Sequence, residues 1–326
     1  MSIIKVTLSN GVNFECATDQ TILEGAKNAG IFLEHSCRNG RCGVCVANVI
    51  EGETSALIQE DAIDKAKLND ISILTCCRSP RTDLKLDIDD LGDFGLIKVL
   101  TLPCRLESLE KLNNDVCFVK LRLPPSASFE FIPGQYIDVI KGNIRRSYSI
   151  ANAPREDGLI ELQIKKVQNG KLSDYFFENA SKNDLLRLEG PFGTFSLRED
   201  DCQNIVFMAT GTGIAPIKAF LESLVSNPPN KNIYLVWGGR YQEDLYLEFN
   251  QINFDFNFVR VLSRANVDGY HYGYVQDAVI ELGIDLTKTT CYACGSIEMI
   301  NSASSVLIEN GLDRRQFYSD AFVSSS

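Results

Sequence analysis

Cys37-Arg38-Asn39-Gly40-Arg41-Cys42-Gly43-Val44-Cys45, answered downstream by Cys76 in Ile73-Leu74-Thr75-Cys76-Cys77-Arg78, is the stretch on which the reading of this chain turns. Three cysteines spaced C-x4-C-x2-C, with a distant fourth, is a spacing that carries a [2Fe–2S] cluster. Four thiolates must converge on two irons, and the loop that supplies three of them must wrap the cluster with its amides turned inward. Gly40 and Gly43 suit that task, because glycine tolerates φ values and close backbone approaches denied to other residues. Four cysteines also suit Zn²⁺, but zinc ribbons usually present two C-x2-C knuckles. Here one such pair has its third ligand five residues upstream. The loop ligands expected are therefore Cys37, Cys42 and Cys45, with the fourth from the Cys76-Cys77 pair.

Cys76 and Cys77 compete for the fourth place. The apolar run Ile71 to Cys77 reads as a strand, so adjacent side chains are expected on opposite faces and one alone can meet the loop. In plant-type ferredoxins, which this segment resembles, the ligand follows a Leu-Thr pair and stands four residues before a proline. Leu74, Thr75 and Pro80 put Cys76 in that place, leaving Cys77 as a small buried residue.

Working outward, Ile3–Leu8 and Val12–Cys16 alternate around Ser9-Asn10-Gly11, a hairpin signal. Thr18 and Asp19 offer an N-cap for a short helix through Ile22, Leu23, Ala26 and Ala29, ended by Gly30, and Val44–Ile50 returns as a strand. This fits a β-grasp fold for residues 1–92. The composition loosens across Asp89–Gly95, so residues 93–98 read as a linker. Residues 99–200 hold short β-runs broken by Pro, Gly and Asn (Cys117–Leu123, Gln135–Ile140, Arg146–Ile150, Ile160–Lys166), the pattern of a small antiparallel β-barrel. Over residues 201–326 the texture changes. Ile205–Ala209, Ile233–Trp237, Phe258–Leu262 and Thr290–Ala293 read as strands alternating with helices such as Ile214–Val225, a parallel-sheet α/β nucleotide-binding domain. The fold class expected is multidomain, α+β and α/β.

Composition sets the outer limits. At 326 residues the chain is long enough for two or three domains, and its hydrophobic fraction of 44% and charged fraction of 23% are those of a globular protein. A net charge of −11 argues against nucleic acid as a partner. No apolar run has the length of a membrane span and no signal-like segment opens the sequence. Eleven cysteines, an odd number without regular pairing, point to a reducing, cytoplasmic setting.

Two further constellations carry chemistry. Arg146-Ser147-Tyr148-Ser149 lies on an expected barrel strand, where Arg146, Tyr148 and Ser149 offer a flavin a phosphate partner, an aromatic surface and a hydroxyl near N5. Gly170-Lys171-Leu172-Ser173 reads as a glycine turn feeding a helix (Leu172 to Glu178) whose free amides suit a pyrophosphate. Taken alone, both are ordinary features of an edge strand and a turn. Thr210-Gly211-Thr212-Gly213 then follows a strand and opens a helix, placing amides where a dinucleotide would sit. Cys294-Gly295 ends the last clear strand at the same edge of the sheet.

In this order the motifs resemble the ferredoxin–NADP⁺ reductase superfamily with an N-terminal plant-type [2Fe–2S] ferredoxin domain, across essentially the whole chain. The resemblance implies that Arg146–Ser149 is the flavin strand and Gly211-Thr212-Gly213-Ile214-Ala215-Pro216 the pyridine-nucleotide loop. It further makes Cys294-Gly295 the nicotinamide-pocket pair and Tyr318-Ser319-Asp320-Ala321-Phe322 the terminus whose aromatic, Phe322, covers the flavin. It implies NADH, FAD and [2Fe–2S] in series, with NADPH left open by Ser263-Arg264, since guanidinium pairs well with a 2′-phosphate. Ser149 and Cys294 would lie near flavin N5 and nicotinamide C4, and Asp320 or Ser149 would relay a proton. Leu74–Cys77, Leu123-Pro124-Pro125, Arg145–Pro154 and Ser319–Val323 are most similar to the CDP-6-deoxy-glucoseen reductases of 3,6-dideoxyhexose biosynthesis, whose electron acceptor is a pyridoxamine-phosphate-dependent dehydrase. Reductase components of aromatic-ring or alkane oxygenases share the domain order and differ in partner; an electron carrier without nicotinamide turnover is a third reading.

Overall fold

A computed structural model describes residues 2–62, 71–92 and 97–322. Its contacts divide the chain into two units, Met1–Lys98 with Gly193–Phe195 and Val99–Phe192 with Ser196–Ser326. Part of the expected linker, residues 93–96, and Val323 lie outside the described residues.

In the first unit the alternating segments around Ser9-Asn10-Gly11 pair as β1 (Ile3–Thr7) and β2 (Asn13–Ala17), with Val6 opposite Phe14 and both buried. Helix α1 (Ile22–Asn28) starts later than the sequence predicts. Its cap is Thr21, whose hydroxyl accepts from Glu24 N at 3.2 Å while the Glu24 carboxylate accepts from Thr21 N at 3.0 Å. Thr18 and Asp19 are still part of the turn that leaves β2, where Gln20 N donates to Ala17 O. The remaining strands are β3 (Val46–Glu51), β4 (Thr54–Ala56), β5 (Ser72–Leu74), β6 (Arg78–Pro80) and β7 (Leu84–Leu86). They form a mixed sheet in the order β2-β1-β7-β3-β5, with β1 and β7 parallel, and a separate β4-β6 pair. Val6, Phe14, Ile22, Leu33, Ile73, Leu74 and Leu86 make its core, each fully buried side chain contributing about 1.5–3 kcal/mol.

The second unit has two sheets. The first is antiparallel: β8 (Leu100–Lys111), β9 (Val116–Arg122), β10 (Tyr136–Lys141), β11 (Ile144–Ser149), β12 (Leu159–Lys165) and β13 (Leu185–Phe192), in the order β11-β10-β13-β8-β9-β12. An isolated bridge between Ile150 and Leu162 brings its two edges together. Helix α2 (Lys171–Asp174), continued by a wider turn over Tyr175–Asn179, seats Leu172 and Phe176 on the same core. The second sheet is parallel: β14 (Asn204–Thr210), β15 (Asn232–Gly239), β16 (Asn257–Leu262), β17 (His271–Tyr272), β18 (Thr289–Ser296) and β19 (Phe317–Phe322). Its order is β17-β16-β15-β14-β18-β19, with α3 (Ile214–Leu224), α4 (Val275–Glu281) and α5 (Ile297–Glu309) as connections. None of the described helices is long and apolar enough to cross a membrane.

Buried Lys218 of α3 ties these layers together. Its ammonium has three protons, and it donates to Ala151 O and Glu161 Oε2, both at 2.9 Å, and to Glu222. Full satisfaction of those protons is what makes a charge at 7% exposure tolerable.

Candidate functional site

The cysteine loop and the Cys76 turn meet through their sulfurs. Cys45 Sγ stands 3.2 Å from Cys76 Sγ, and Cys42 N donates to Cys37 Sγ at 3.3 Å. The thiols form two pairs, Cys37 with Cys42 and Cys45 with Cys76. A proton shared with the Cys42 thiol brings Cys37 down to about 5 against the opposing effect of burial, helped by the amides of Asn39, Cys42 and Arg41. The Cys45 thiol, again against burial, and then the Cys77 thiol and the Gly40 amide bring Cys76 down to about 7. Among the described residues no three Cys, His, Asp or Glu side chains gather about one metal-ion position. Two thiol pairs ringed by inward amides fit a two-iron group, which Cys37, Cys42, Cys45 and Cys76 would hold.

Gly40 has φ +79° and sits so close that a Cβ would lie 2.3 Å from Gln59 O and 2.9 Å from Cys77 Sγ. Any side chain there would force the loop off the segment behind it. One expectation is corrected at this point. Cys76 and Cys77 do not alternate along a strand: β5 ends at Leu74, and Thr75–Cys77 form a turn in which Cys77 N donates to Leu74 O. A turn lacks the two-residue alternation of a strand, and the two sulfurs come within 3.5 Å of each other.

On β11 the period of two sorts the flavin candidates onto both faces. Tyr148 packs against the core of the antiparallel sheet, and burial raises its hydroxyl pKa. Arg146 shares that face and is half-buried, with its guanidinium donating to Arg145 O at 2.7 Å. Ser147 and Ser149 point the other way. Ser147 donates to Asp138 at 2.6 Å beside the ion pairs of Arg145 with Asp138 and Glu189, and Ser149 is buried. Helix α2 touches β11, which brings the Gly170–Ser173 segment beside that strand. The turn before it is not a glycine turn: the left-handed residue is Asn169 (φ +59°), whereas Gly170 is extended at φ −83°. Gly170 is needed for closeness, since a Cβ would stand 2.5 Å from Ser173 Oγ. That hydroxyl donates to Gly170 O at 2.8 Å, so Ser173 braces the turn while the amides of Lys171 and Leu172 are left at the helix start.

The parallel sheet runs outward from β14 to β15 and β16 on one side, then returns to β18 and β19 on the other. The switch therefore falls between β14 and β18, the place where α/β sheets open a ligand crevice. Strand β14 ends at Thr210 and leads into the Gly211–Gly213 turn, which interlocks with Cys294-Gly295 near the end of β18, a strand that runs on to Ser296. A Cβ on Gly213 would lie 2.1 Å from Cys294 O, and one on Gly295 would lie 2.3 Å from Thr210 Oγ1. Gly211, at φ +53°, has open space where its Cβ would be. Its carbonyl is held by Ile214 N and by Trp237 Nε1 at 3.1 Å, a contact the sequence reading missed. The chain's one tryptophan, standing directly before Gly238-Gly239, was the available signal.

Cys294 is opposite Asp320, and Ser296 opposite Phe322, so these four share one face at the carboxyl edge. The Cys294 side chain is fully buried, and burial, then the charge of Asp320, pushes its thiol well up. Phe322 is 37% exposed. Beside β16, Ser263 bonds Gly239 O and Arg264 N donates to Arg240 O, with both arginine side chains exposed.

Family models match three successive segments: a 2Fe-2S iron-sulfur cluster binding domain over residues 6–81, an oxidoreductase FAD-binding domain over 103–197 and an oxidoreductase NAD-binding domain over 207–305. The chain is 39% identical to the CDP-6-deoxy-L-threo-D-glycero-4-hexulose-3-dehydrase reductase of Yersinia pestis, covering 97% of each chain. The chain belongs to the iron–sulfur flavoprotein reductases. It is also 31% identical to the phenol hydroxylase P5 protein of Acinetobacter pittii, covering 97% of this chain and 93% of that one. Among solved structures, the Amycolatopsis cytochrome P450 reductase GcoB is similar at TM-score 0.76 and 26% identity, over 99% of this chain and 100% of that one. The reductase thus has a ferredoxin-reductase-like multidomain fold and is an NAD(P)H-dependent oxidoreductase using FAD and [2Fe–2S].

When bound, FAD would supply the exchange between two-electron hydride chemistry and the one-electron chemistry of the cluster. In this reductase the protein residues supply position. Trp237 and Ile214 set the Gly211 carbonyl, the close approach of Gly213 and Gly295 leaves no room for side chains there, and Lys218 fixes α3 to Ala151 and Glu161.

Proposed function

We propose that the reductase passes electrons from NADH through FAD and the cluster to a separate acceptor protein, a pyridoxamine-phosphate-dependent dehydrase acting on CDP-4-keto-6-deoxyglucose in 3,6-dideoxyhexose biosynthesis. The observation that carries this reading is the near-full-length 39% identity to a protein named CDP-6-deoxy-L-threo-D-glycero-4-hexulose-3-dehydrase reductase. The division of labour follows residues 1–92 for the β-grasp cluster domain, 93–98 for the linker, 99–200 for the flavin barrel and 201–326 for the nucleotide domain. Cys37, Cys42, Cys45 and Cys76 hold the cluster. Arg146, Ser147, Tyr148, Ser149 and Gly170–Ser173 hold FAD; Thr210–Gly213, Cys294 and Gly295 receive the nicotinamide nucleotide. Ser149 and Cys294 flank the hydride path, Asp320 or Ser149 carries a proton, and Phe322 shields the flavin until nicotinamide replaces it. The eleven free thiols support a cytoplasmic setting.

A second reading, an oxygenase reductase component, is favoured by the 31% identity to the phenol hydroxylase P5 protein. Reconstitution separates the two. The purified reductase with NADH and the dehydrase should give the deoxygenated CDP-sugar, and should give little turnover with a hydroxylase component. Efficient transfer to the hydroxylase and none to the dehydrase would overturn the sugar-pathway reading.

A further inference from the structure

Cys77 has no place in the ligand set, yet its sulfur lies against that set. Its thiol is 3.5 Å from Cys76 Sγ and 3.8 Å from Gln59 O, with no exposure to solvent. Gly40 makes room for it, since a Cβ on Gly40 would stand 2.9 Å from Cys77 Sγ. The Thr75–Cys77 turn aims both sulfurs into the loop.

We propose that Cys77 tunes the cluster by donating its S–H to the Cys76 sulfur. The inference rests on the reading that Cys76 is the fourth ligand. A metal-bound thiolate carries no proton and is an acceptor alone, so the direction of the bond is set: Cys77 donates and Cys76 accepts. Thiols are weak donors to neutral carbonyls, and the negative sulfur is both nearer and the stronger acceptor than Gln59 O. An S–H dipole directed at a ligand sulfur favours the extra negative charge that reduction brings, and low exposure strengthens the effect. Cys77 therefore makes the cluster easier to reduce than its four ligands alone would, and so improves its ability to take electrons from the flavin. It is a positioning residue that acts through Cys76.

The test is an EPR-monitored redox titration of the holoprotein, with iron and sulfide content measured on each sample. Cys77→Ala and Cys77→Val, which lack a donor, should keep the cluster and shift its reduction equilibrium about tenfold toward the oxidised form, about 59 mV for one electron. Cys77→Ser, which keeps a donor in nearly the same volume, should stay near the wild-type potential, and Cys76→Ser should lose the cluster. Unchanged potentials in the alanine and valine variants, or an equal fall in the serine variant, would overturn the tuning role and leave the ligand set standing. A cluster lost in all three Cys77 variants and kept in Cys76→Ser would overturn the ligand reading itself.

Discussion

Gly213 is locked against the backbone of Cys294, so close that a Cβ on the glycine would stand 2.1 Å from the Cys294 carbonyl oxygen. The two residues are 81 positions apart in sequence; Gly213 lies in the turn that follows β14, and Cys294 near the carboxyl end of the neighbouring β18. Their contact shapes the crevice at the switch point of the sheet. Gly213→Ala should push the two loops apart, cost about 1–3 kcal/mol of stability and raise the NADH concentration needed for half-maximal flavin reduction at least about tenfold. FAD and cluster spectra should be normal. Stopped-flow reduction at graded NADH checks it, and unchanged half-saturation would show that the crevice lies elsewhere.

Cys294→Ala removes a buried sulfur beside Asp320 without touching the cysteine loop. Hydride transfer from NADH to the flavin should slow by on the order of tenfold, the expected cost of a small misplacement at the reacting atoms. Cluster content and FAD binding should hold. An unaltered rate of flavin reduction would remove Cys294 from the nicotinamide pocket.

Trp237→Phe keeps an aromatic ring against Tyr246 and Phe249 but deletes the N–H that holds Gly211 O. One such hydrogen bond is worth about 1 kcal/mol, so half-saturation by NADH should rise about fivefold. The rate at saturating NADH should change much less. A fall confined to the saturated rate would mean that Trp237 does not position the loop.

Arg146→Ala should weaken FAD binding by about 1.5–3 kcal/mol, the worth of a charge-assisted contact. FAD retention measured by dialysis at low flavin, with iron content as the control, decides it. Full retention would assign the half-buried Arg146 guanidinium to its bond with Arg145 O alone.

Lys218→Met leaves Glu161 buried with Arg155 and Lys120 as its remaining cations, and should cost about 3 kcal/mol at neutral pH. For Glu161, burial pushes its pKa up, but Lys218 and Arg155 outweigh that and hold it below the ordinary 4.5. A carboxyl depressed on folding stabilises fully above its unfolded value and loses that contribution as pH falls through its folded one. Denaturant unfolding from about pH 7 to pH 3 should therefore show an acid-induced loss below 4.5 that shrinks in the Lys218→Met protein. Equal acid sensitivity in both proteins would remove Glu161 from the account.

Much of this reductase was readable one residue at a time, because its chemistry makes local demands. Thiol spacing, a glycine where amides must crowd a cluster, and a strand opening into a glycine loop are all written within short stretches. The cysteine spacing points to its cluster unaided, whereas the flavin and nicotinamide stretches gain their meaning from their order along the chain and the family that order resembles. What local pattern left undecided depends on neighbours distant in sequence or on the choice between strand and turn. Cys77 reads as facing away from Cys76 if its segment is a strand, and the turn at Thr75–Cys77 reverses that. Asn169 rather than Gly170 takes the left-handed place, because Gly170 is occupied in making room for Ser173. Lys218 looks like an ordinary helix-surface lysine, yet its partners Glu161 and Ala151 lie 57 and 67 residues away. The interlock of Gly213 with Cys294 exists only once β14 and β18 pair side by side. Residue type declares what a side chain is able to do, but packing alone determines which group it meets, because burial and hydrogen-bond satisfaction are settled jointly by every segment that closes around it.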